Sequence, residues 1–410
     1  MTPDGHIDTQ DWMTAAPTRA VLAALTADGA VARFVGGCVR DAVLGRVVKD
    51  IDLATTDAPQ AVIEKLERAG LKAVPTGIAH GTVTAVTEKR PFEITTLRRD
   101  VETDGRHAMV AFTDDWIADA ARRDFTFNAM FCDADGTLYD PFDGRADLAA
   151  GRVRFVGDAK QRIEEDVLRL LRFFRFTAWV GKPPHDDEAV AACREFAPKL
   201  VSLSGERVRN ELLKLLAAPD PLPALALMDE LDVTRHVITN PRDDRLRRLA
   251  AMIALEAEKG DPIPRLAAIV ADDVAALIEK LRLSNTEAVR LDALVAPDHT
   301  VGPDTDRQAL RRALYRIGPE TAHDLLLLAA ADQGTGAWLE SSLDTVEAWQ
   351  PVKLPITGRD VLARGIPTGE RIGELLSRVE HWWENGDYQV DRDEALAYLN
   401  QIIAEGSKDT

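Results

Sequence analysis

The chain has 410 residues, and 68 Asp+Glu against 50 Lys+Arg leave it with a formal charge of −18. A 46% apolar and 29% charged composition is that of a globular chain of roughly two to four domains, which excludes wholesale disorder. The acidity argues against general electrostatic affinity for nucleic acid or an anionic membrane. The opening Met1-Thr2-Pro3-Asp4-Gly5-His6 lacks the basic and apolar regions of a secretory signal. The apolar run Leu325–Ala331 is far shorter than the roughly 18–20 residues that span a bilayer. Cys38, Cys132 and Cys193 stand too far apart for a disulfide framework or a zinc site, so a reducing cytoplasm is expected.

In chain order, Ala32–Val35 reads as a short strand ended by Gly36-Gly37, and Asp50–Ala54 alternates polar and apolar residues as a second strand. Pro59–Ala69 reads as a helix with Ala61, Ile63, Leu66 and Ala69 facing a core and Gly70 as its stop. Gly81–Val86 and Phe92–Leu97 are β-rich runs around Lys89-Arg90-Pro91, which predicts a hairpin. A turn at Asp133–Gly136 precedes Leu138-Tyr139. After about Leu148 the strands stop. Helical periodicity runs through Ile163–Trp179, Glu206–Ala217 and Leu222–Leu231 and on to the C-terminus, giving an α+β head followed by an all-helical arm.

Chemistry concentrates in the head. Gly36-Gly37 lies between a strand and a helix start, where two glycines expose successive N–H groups; with Arg40 they suit a phosphate. Asp50 and Asp52, two apart on a strand, face the same way and would repel one another unless a cation lay between them. Hard oxygen donors suit Mg²⁺, and Glu93 on a nearby strand is the natural third carboxylate. In Arg122-Arg123-Asp124-Phe125-Thr126-Phe127-Asn128, the cations suit phosphates, and Asp124 or Asn128 suits a ribose hydroxyl. A helix over Gln161–Phe176 buries Ile163, Val167, Leu170 and Phe174 and carries Arg162, Asp166, Arg169 and Arg172 as a second stripe. There Asp166 and Arg169, at i and i+3, would stand side by side as an acceptor next to a donor fork, suited to the edge of a base.

These strings, in this order, resemble the class II tRNA nucleotidyltransferase/poly(A) polymerase family. The match takes in Gly36-Gly37-x-Val39-Arg40-Asp41, Asp50-x-Asp52, Gly77-x-x-His80-Gly81-Thr82-Val83, Glu93-x-x-Thr96-x-Arg98 and Asp104-Gly105-Arg106. It continues through Arg122-Arg123-Asp124-Phe125-Thr126-x-Asn128-Ala129, Asp140-Pro141-x-Asp143-Gly144, Glu165-Asp166-x-x-Arg169 and Glu206-Arg207-x-x-x-Glu211. The resemblance implies a polymerase-β-like head with a mixed sheet at 1–150, a helical neck at 151–220, a helical body at 221–350, and a tail at 351–410 in contact with tRNA. Asp50, Asp52 and Glu93 would hold catalytic Mg²⁺, and Gly36, Gly37 and Arg40 the triphosphate. Arg123 and Asp124 match the ribose motif. Asp166 and Arg169 match the pair that reads CTP and ATP without a nucleic-acid template, Asp104–Arg106 falls in the family's flexible loop, and Glu206-Arg207 matches a helix-supporting motif at the pocket edge.

The implied activity is addition of C, C and A to the 3′ end of tRNA. The alternatives are a poly(A) polymerase, a partial CC- or A-adding enzyme, or an inactive RNA- or nucleotide-binding protein on the same fold. Ala73–His80 lacks the basic strand typical of the poly(A) members, which favours CCA addition. Leu354–Asp360 and Gly365–Gly373 resemble a C-terminal segment of bacterial members and read equally as a helix-capping loop. Charge is unevenly placed: between Arg152 and Lys214, 13 Lys+Arg outnumber 10 Asp+Glu. A local basic strip of this kind can bind RNA on an acidic protein.

Overall fold

A computed structural model describes residues 1–104, 107–256 and 260–406; over 100–110 and at 406 only the backbone is described. Of the motif Asp104–Arg106, Gly105 and Arg106 therefore lie outside the described residues, and Asp104 is described by its backbone alone. The chain forms two compact units, Met1–Pro241 with Ala276–Leu283, and Arg242–Ala275 with Ser284–Thr410.

The first unit begins with an eight-stranded mixed sheet. Its strands are β1 (Gly5–His6), β2 (Ala32–Val35), β3 (Ile51–Thr55), β4 (Lys72–Gly77), β5 (Thr82–Thr87), β6 (Arg90–Thr96), β9 (Phe131–Cys132) and β10 (Thr137–Tyr139). They lie in the order β1-β10-β9-β2-β3-β6-β5-β4. The β3–β6 pair is parallel and sets Asp52 directly opposite Glu93, while its neighbours are antiparallel. A separate ribbon pairs β7 (Arg98–Asp104) with β8 (His107–Phe112). The predicted hairpin is present as β5–β6. Its two-residue turn is Glu88-Lys89, both with positive φ (49° and 64°), the geometry that follows the twist of the paired strands.

The helices of this unit begin with α1 (Asp11–Thr14), α2 (Ala16–Thr26), α3 (Gly37–Val43), α4 (Pro59–Arg68), α5 (Trp116–Ala121) and α6 (Gly144–Ala150). They continue with α7 (Ala159–Glu165), α8 (Leu168–Val180), α9 (Asp187–Phe196) and α10 (Gly205–Leu216). Two differ from the sequence reading. In α4 the inward face is Pro59, Val62, Lys65 and Leu66, whereas Ala69 lies exposed. The face is rotated because the Lys65 ammonium is buried, bonded to Asp57, Asp28 and the Leu25 carbonyl. A lysine reads as a surface residue until its partners are seen.

The predicted helix over Gln161–Phe176 is interrupted. Asp166 is extended (φ −154°, ψ 105°), ending α7, and its carboxylate accepts the N–H of Leu168 at the start of α8. Aspartate is suited to such a position because it satisfies a backbone donor that a helix start leaves unpaired.

The core under the sheet and helices is rich in phenylalanine. Phe125 packs on Phe155 at 4.7 Å and on Phe176 at 5.2 Å, and Phe155 stacks on Phe173 at 6.1 Å. All four are buried. Such aromatic pairs add about 0.5–1.5 kcal/mol each beyond their burial.

Among the described residues of the second unit, the regular elements are helices joined by loops. It includes helices over Arg245–Ile253, Pro262–Ile269, Asn285–Val295, Arg307–Gln333, Ala337–Glu347, Glu370–Asn385 and Arg392–Gly406. The longest bends at Gly318 (φ 79°) before Pro319, where the ring removes a backbone donor. Ile356, Val361, Leu375, Val379, Ala395, Leu399 and Ile402 form a local core in the last sixty residues. Thr357 and Asp360 make a reciprocal capping box, so this part of the C-terminal string has a structural use.

Candidate active site

The site grows from the end of β2. Gly36 holds φ 70° and ψ −120°, a conformation open to glycine, and turns the chain into α3. A Cβ there would stand 3.5 Å from Nη1 of Arg123, an ordinary contact, so it is the backbone conformation that calls for glycine and the guanidinium packs close against the turn. Gly37 opens α3, and Arg40 lies one turn along it.

A pocket of about 540 Å³ lies beside this turn. Among the described residues, Arg40, Arg122, Arg123, Arg169, Arg172, Arg175 and Arg207 line it, against the acids Asp52, Asp124 and Asp166. Each of the seven guanidiniums has a carboxylate partner, with Asp41, Asp119, Glu165 and Glu211 behind the acids that face the pocket, so the lining is dense in charge and its arginines are held in place. Burial and the neighbouring Arg172 push the Arg175 guanidinium down to about 10, although Glu211 lies beside it at 2.9 Å. Arg40, Arg172 and Arg175 all stand over the Phe176 ring, at 5.2, 5.5 and 4.4 Å from its centre. A polyanion is the ligand such a lining suits, since guanidiniums already fixed along one edge present their remaining N–H groups to phosphate oxygens.

A chain of hydrogen bonds forms one wall. Arg40 donates to the Asn128 side-chain oxygen at 2.9 Å, and Asn128 donates to Asp124 at 3.0 Å. Asp124 also accepts the Phe125 N–H at 2.9 Å and Arg172 at 2.5 Å. The buried Asp124 carboxyl is held below its usual range by Arg172 and these bonds, against the effect of burial. Asp124 and Asn128 are thus tied into the wall. The turn that carries Asn128 is braced from behind, where Thr126 donates to Asp147 at 2.6 Å and Asp147 accepts Arg154.

Asp166 and Arg169 both line the pocket, and the Arg169 N–H donates to the Asp166 carbonyl at 3.0 Å, but their side chains do not pair with each other. The helix break parts them, and each has a different partner. Arg207, from α10, reaches both Asp166 oxygens at 3.0 and 2.8 Å. Arg169 bonds Glu165 at 2.7 Å and the carbonyls of Arg162 and Arg122. The predicted i,i+3 adjacency on a continuous helix is replaced by two separately anchored groups on one wall. Arg175 and Phe176 were not singled out by the sequence; the continuing Arg-x-x-Arg spacing from Arg172 was the available signal.

The carboxylates meet on the sheet. Asp52 is half-buried opposite the exposed Glu93, and the exposed Asp50 lies just before β3. Burial first, then Glu93 and Asp50, push the Asp52 carboxyl up to about 6, with Arg123 and Arg40 pulling the other way. Among the described residues, no three His, Cys, Asp or Glu side chains are gathered closely enough to enclose an ion by themselves. The expected carboxylate triad is therefore present as neighbours rather than as a closed cage. Two acids in register whose repulsion Arg123 and Arg40 offset only in part still fit Mg²⁺ in kind, because that ion is commonly held by one or two carboxylates together with substrate phosphates.

A mixed sheet bearing these acids beside an arginine-walled pocket defines a nucleotidyltransferase. Residues 32–154 match the poly A polymerase head domain model, and 186–241 match the probable RNA and SrmB- binding site of polymerase A. The mitochondrial CCA tRNA nucleotidyltransferase 1 of Mus musculus is 36% identical over 385 residues, covering 90% of this chain and 86% of that protein. The CCA-adding enzyme of Geobacillus stearothermophilus is 30% identical, covering 92% and 95%. The crystal structure of the Bacillus stearothermophilus CCA-adding enzyme in complex with CTP superposes with a TM-score of 0.73 at 26% identity, covering 95% and 98%. The chain belongs to the tRNA nucleotidyltransferase/poly(A) polymerase family.

Proposed function

We infer that this chain adds C, C and A to the 3′ end of tRNA from CTP and ATP, releasing pyrophosphate, without a nucleic-acid template. The observation that carries the reading is one pocket bounded by Asp52 on the sheet and by the Asp166–Arg207 pair and Arg169 from the helices. A nucleotide held between them has its phosphates near the carboxylates and its base near a donor–acceptor wall. The family membership and the relatives named for CCA addition support the same activity.

The residues divide the work. Gly36, Gly37, Arg40 and Arg123 take the triphosphate, and the Arg40–Asn128–Asp124–Arg172 chain holds that wall rigid around the sugar. Asp166 offers an acceptor and Arg169 donors to the base edge, each fixed by its own partner. Asp50, Asp52 and Glu93 would hold Mg²⁺, which in such reactions neutralises phosphate charge and lowers the pKa of the attacking hydroxyl. The tRNA 3′-hydroxyl attacks the α-phosphorus, its new P–O bond forming as the bond to pyrophosphate breaks.

The four-part organisation remains our reading, with head 1–150, neck 151–220, body 221–350 and tail 351–410. The last is supported by its local core. We place the protein in the cytoplasm, consistent with three buried free thiols. Among the described residues no helix is long and apolar enough to cross a membrane.

The deciding experiment offers tRNA ending at the discriminator base, at C or at CC, or an unstructured oligo(A), with each NTP separately. Three additions confined to tRNA are expected. A long A tail on the oligo would refute the reading in favour of a poly(A) polymerase, and arrest after CC would favour a partial enzyme.

A further inference from the structure

Asp119 lies on α5, outside the strings that carry the family resemblance, and its side chain is 1% exposed. Its two oxygens serve different residues. Oδ1 accepts Nε of Arg122 at 3.0 Å and the backbone N–H of Arg98 at 3.2 Å. Oδ2 accepts Nε and Nη2 of Arg123 at 3.2 and 2.8 Å. Arg122 and Arg123 line the nucleotide pocket, and Arg98 opens the β7–β8 ribbon.

The geometry at Arg123 is directional. Asp119 takes the Nε–Nη2 edge of the guanidinium, and Nη1 is the nitrogen that stands closest to the position of a Cβ on Gly36. A planar fork held along one edge presents the other in a fixed direction. Without its acid, Arg123 would keep the Phe131 ring, 5.5 Å from its guanidinium carbon, but would lose the two hydrogen bonds that fix its direction among six other cations. The two arginines pull the Asp119 carboxyl below its usual range although burial opposes them, so it stays charged.

We propose that Asp119 is a positioning residue for the incoming nucleotide: one buried carboxylate that aims Arg123, together with Arg122, into the pocket and ties both to the base of the β7–β8 ribbon. The inference rests on the nucleotidyltransferase reading and adds to it a residue that never touches substrate.

A double-mutant cycle tests it, with KM and kcat for CTP and ATP measured on tRNA lacking its end. Asp119→Asn should raise KM for both nucleotides about 10-fold or more, as expected for losing charge-assisted bonds, with a smaller change in kcat. Asp119→Glu, which keeps the charge, should raise KM less, and it closes the cycle if the Asn variant does not melt cooperatively. In an Arg123→Gln background the Asp119 substitutions should change KM little further, because the residue through which they act is gone. A lowered melting temperature with unchanged KM, or losses that add across the cycle, would overturn the proposal. A wild-type protein that binds neither nucleotide and extends no tRNA would overturn the function itself, and this role with it.

Discussion

Arg207 holds Asp166 by both carboxylate oxygens from 41 residues away, while the guanidinium three positions along from Asp166 turns to Glu165 instead. If Asp166 and Arg169 read the base as proposed, the acceptor is fixed by α10 and the donor by α7. Arg207→Ala frees the acceptor and leaves the donor in place. It should lower kcat/KM for CTP and ATP by about 10–100-fold, the usual worth of a hydrogen bond to a charged group. Relative misincorporation of UTP and GTP should rise, read by single-nucleotide extension. Unchanged selectivity would show that Asp166 needs no clamp.

The opposed pair Asp52 and Glu93 predicts a conflict between stability and activity. Asp50→Ala or Asp52→Ala should abolish incorporation and leave the fold intact by circular dichroism. Asp52→Asn should also be inactive, yet in EDTA it should be more stable than wild type by on the order of 1–3 kcal/mol, because it removes a desolvated charge facing Glu93. Retained activity in both alanine variants would sink the metal assignment. An Asn variant that melts lower would contradict the repulsion.

Gly36 offers a backbone test. Gly36→Ala forces a Cβ onto φ 70°, ψ −120°, at a cost of about 1–3 kcal/mol, and puts it against Arg123. The melting temperature should fall and KM for both nucleotides rise together. Gly29, also at positive φ but with nothing near its missing Cβ, is the control: an Ala there strains the backbone without touching the pocket. Equal effects on KM at the two positions would argue against a nucleotide role for the turn.

Asp119 and Asp124 set a pH dependence. Both carboxyls are depressed by their arginine partners, so the folded state binds fewer protons than the unfolded chain over the acid range. Their stabilisation is fully present above the unfolded value of about 3.9 and is lost as pH falls through the lower folded values. Urea unfolding should therefore show the wild-type advantage over Asp119→Asn constant from pH 8 to 5 and shrinking below about pH 4. An advantage that instead vanished between pH 7 and 6 would contradict the assignment.

Most of the head was legible because its signals are local. Gly36-Gly37 after a β-run, alternation through β3 and the hairpin around Lys89-Arg90-Pro91 each lie within a dozen residues, although the turn itself is Glu88-Lys89 and Arg90 and Pro91 belong to β6. What escaped depends on partners distant in sequence. Glu165-Asp166-Val167-Leu168 contains no glycine or proline, so nothing local announces the break that Asp166 makes and Arg207 stabilises. Asp119 reads as one more acid on a short helix until Arg98, Arg122 and Arg123 are seen to converge on it. Lys65 turned the expected face of α4 for the same reason. The carboxylates were identifiable by type and spacing. That Glu93 lies opposite Asp52 needed the parallel pairing of β3 with β6, which sequence periodicity does not fix.

The aromatic core has a consequence for recombination between relatives. Phe125 and Phe127 lie before residue 150, Phe155, Phe173 and Phe176 after it, and they pack as one cluster whose last ring also underlies three pocket arginines. Secondary structure changes class near 150, but the packing has no seam there. A fragment cut at 150 would carry an aromatic wall into water and leave Arg40 without its ring. A module that keeps this cluster whole extends through α8, and one that also keeps Arg207 on Asp166 extends through α10; on the proposed roles, a chimera built on the head alone would exchange Asp50, Asp52 and Glu93 while leaving nucleotide choice with the recipient.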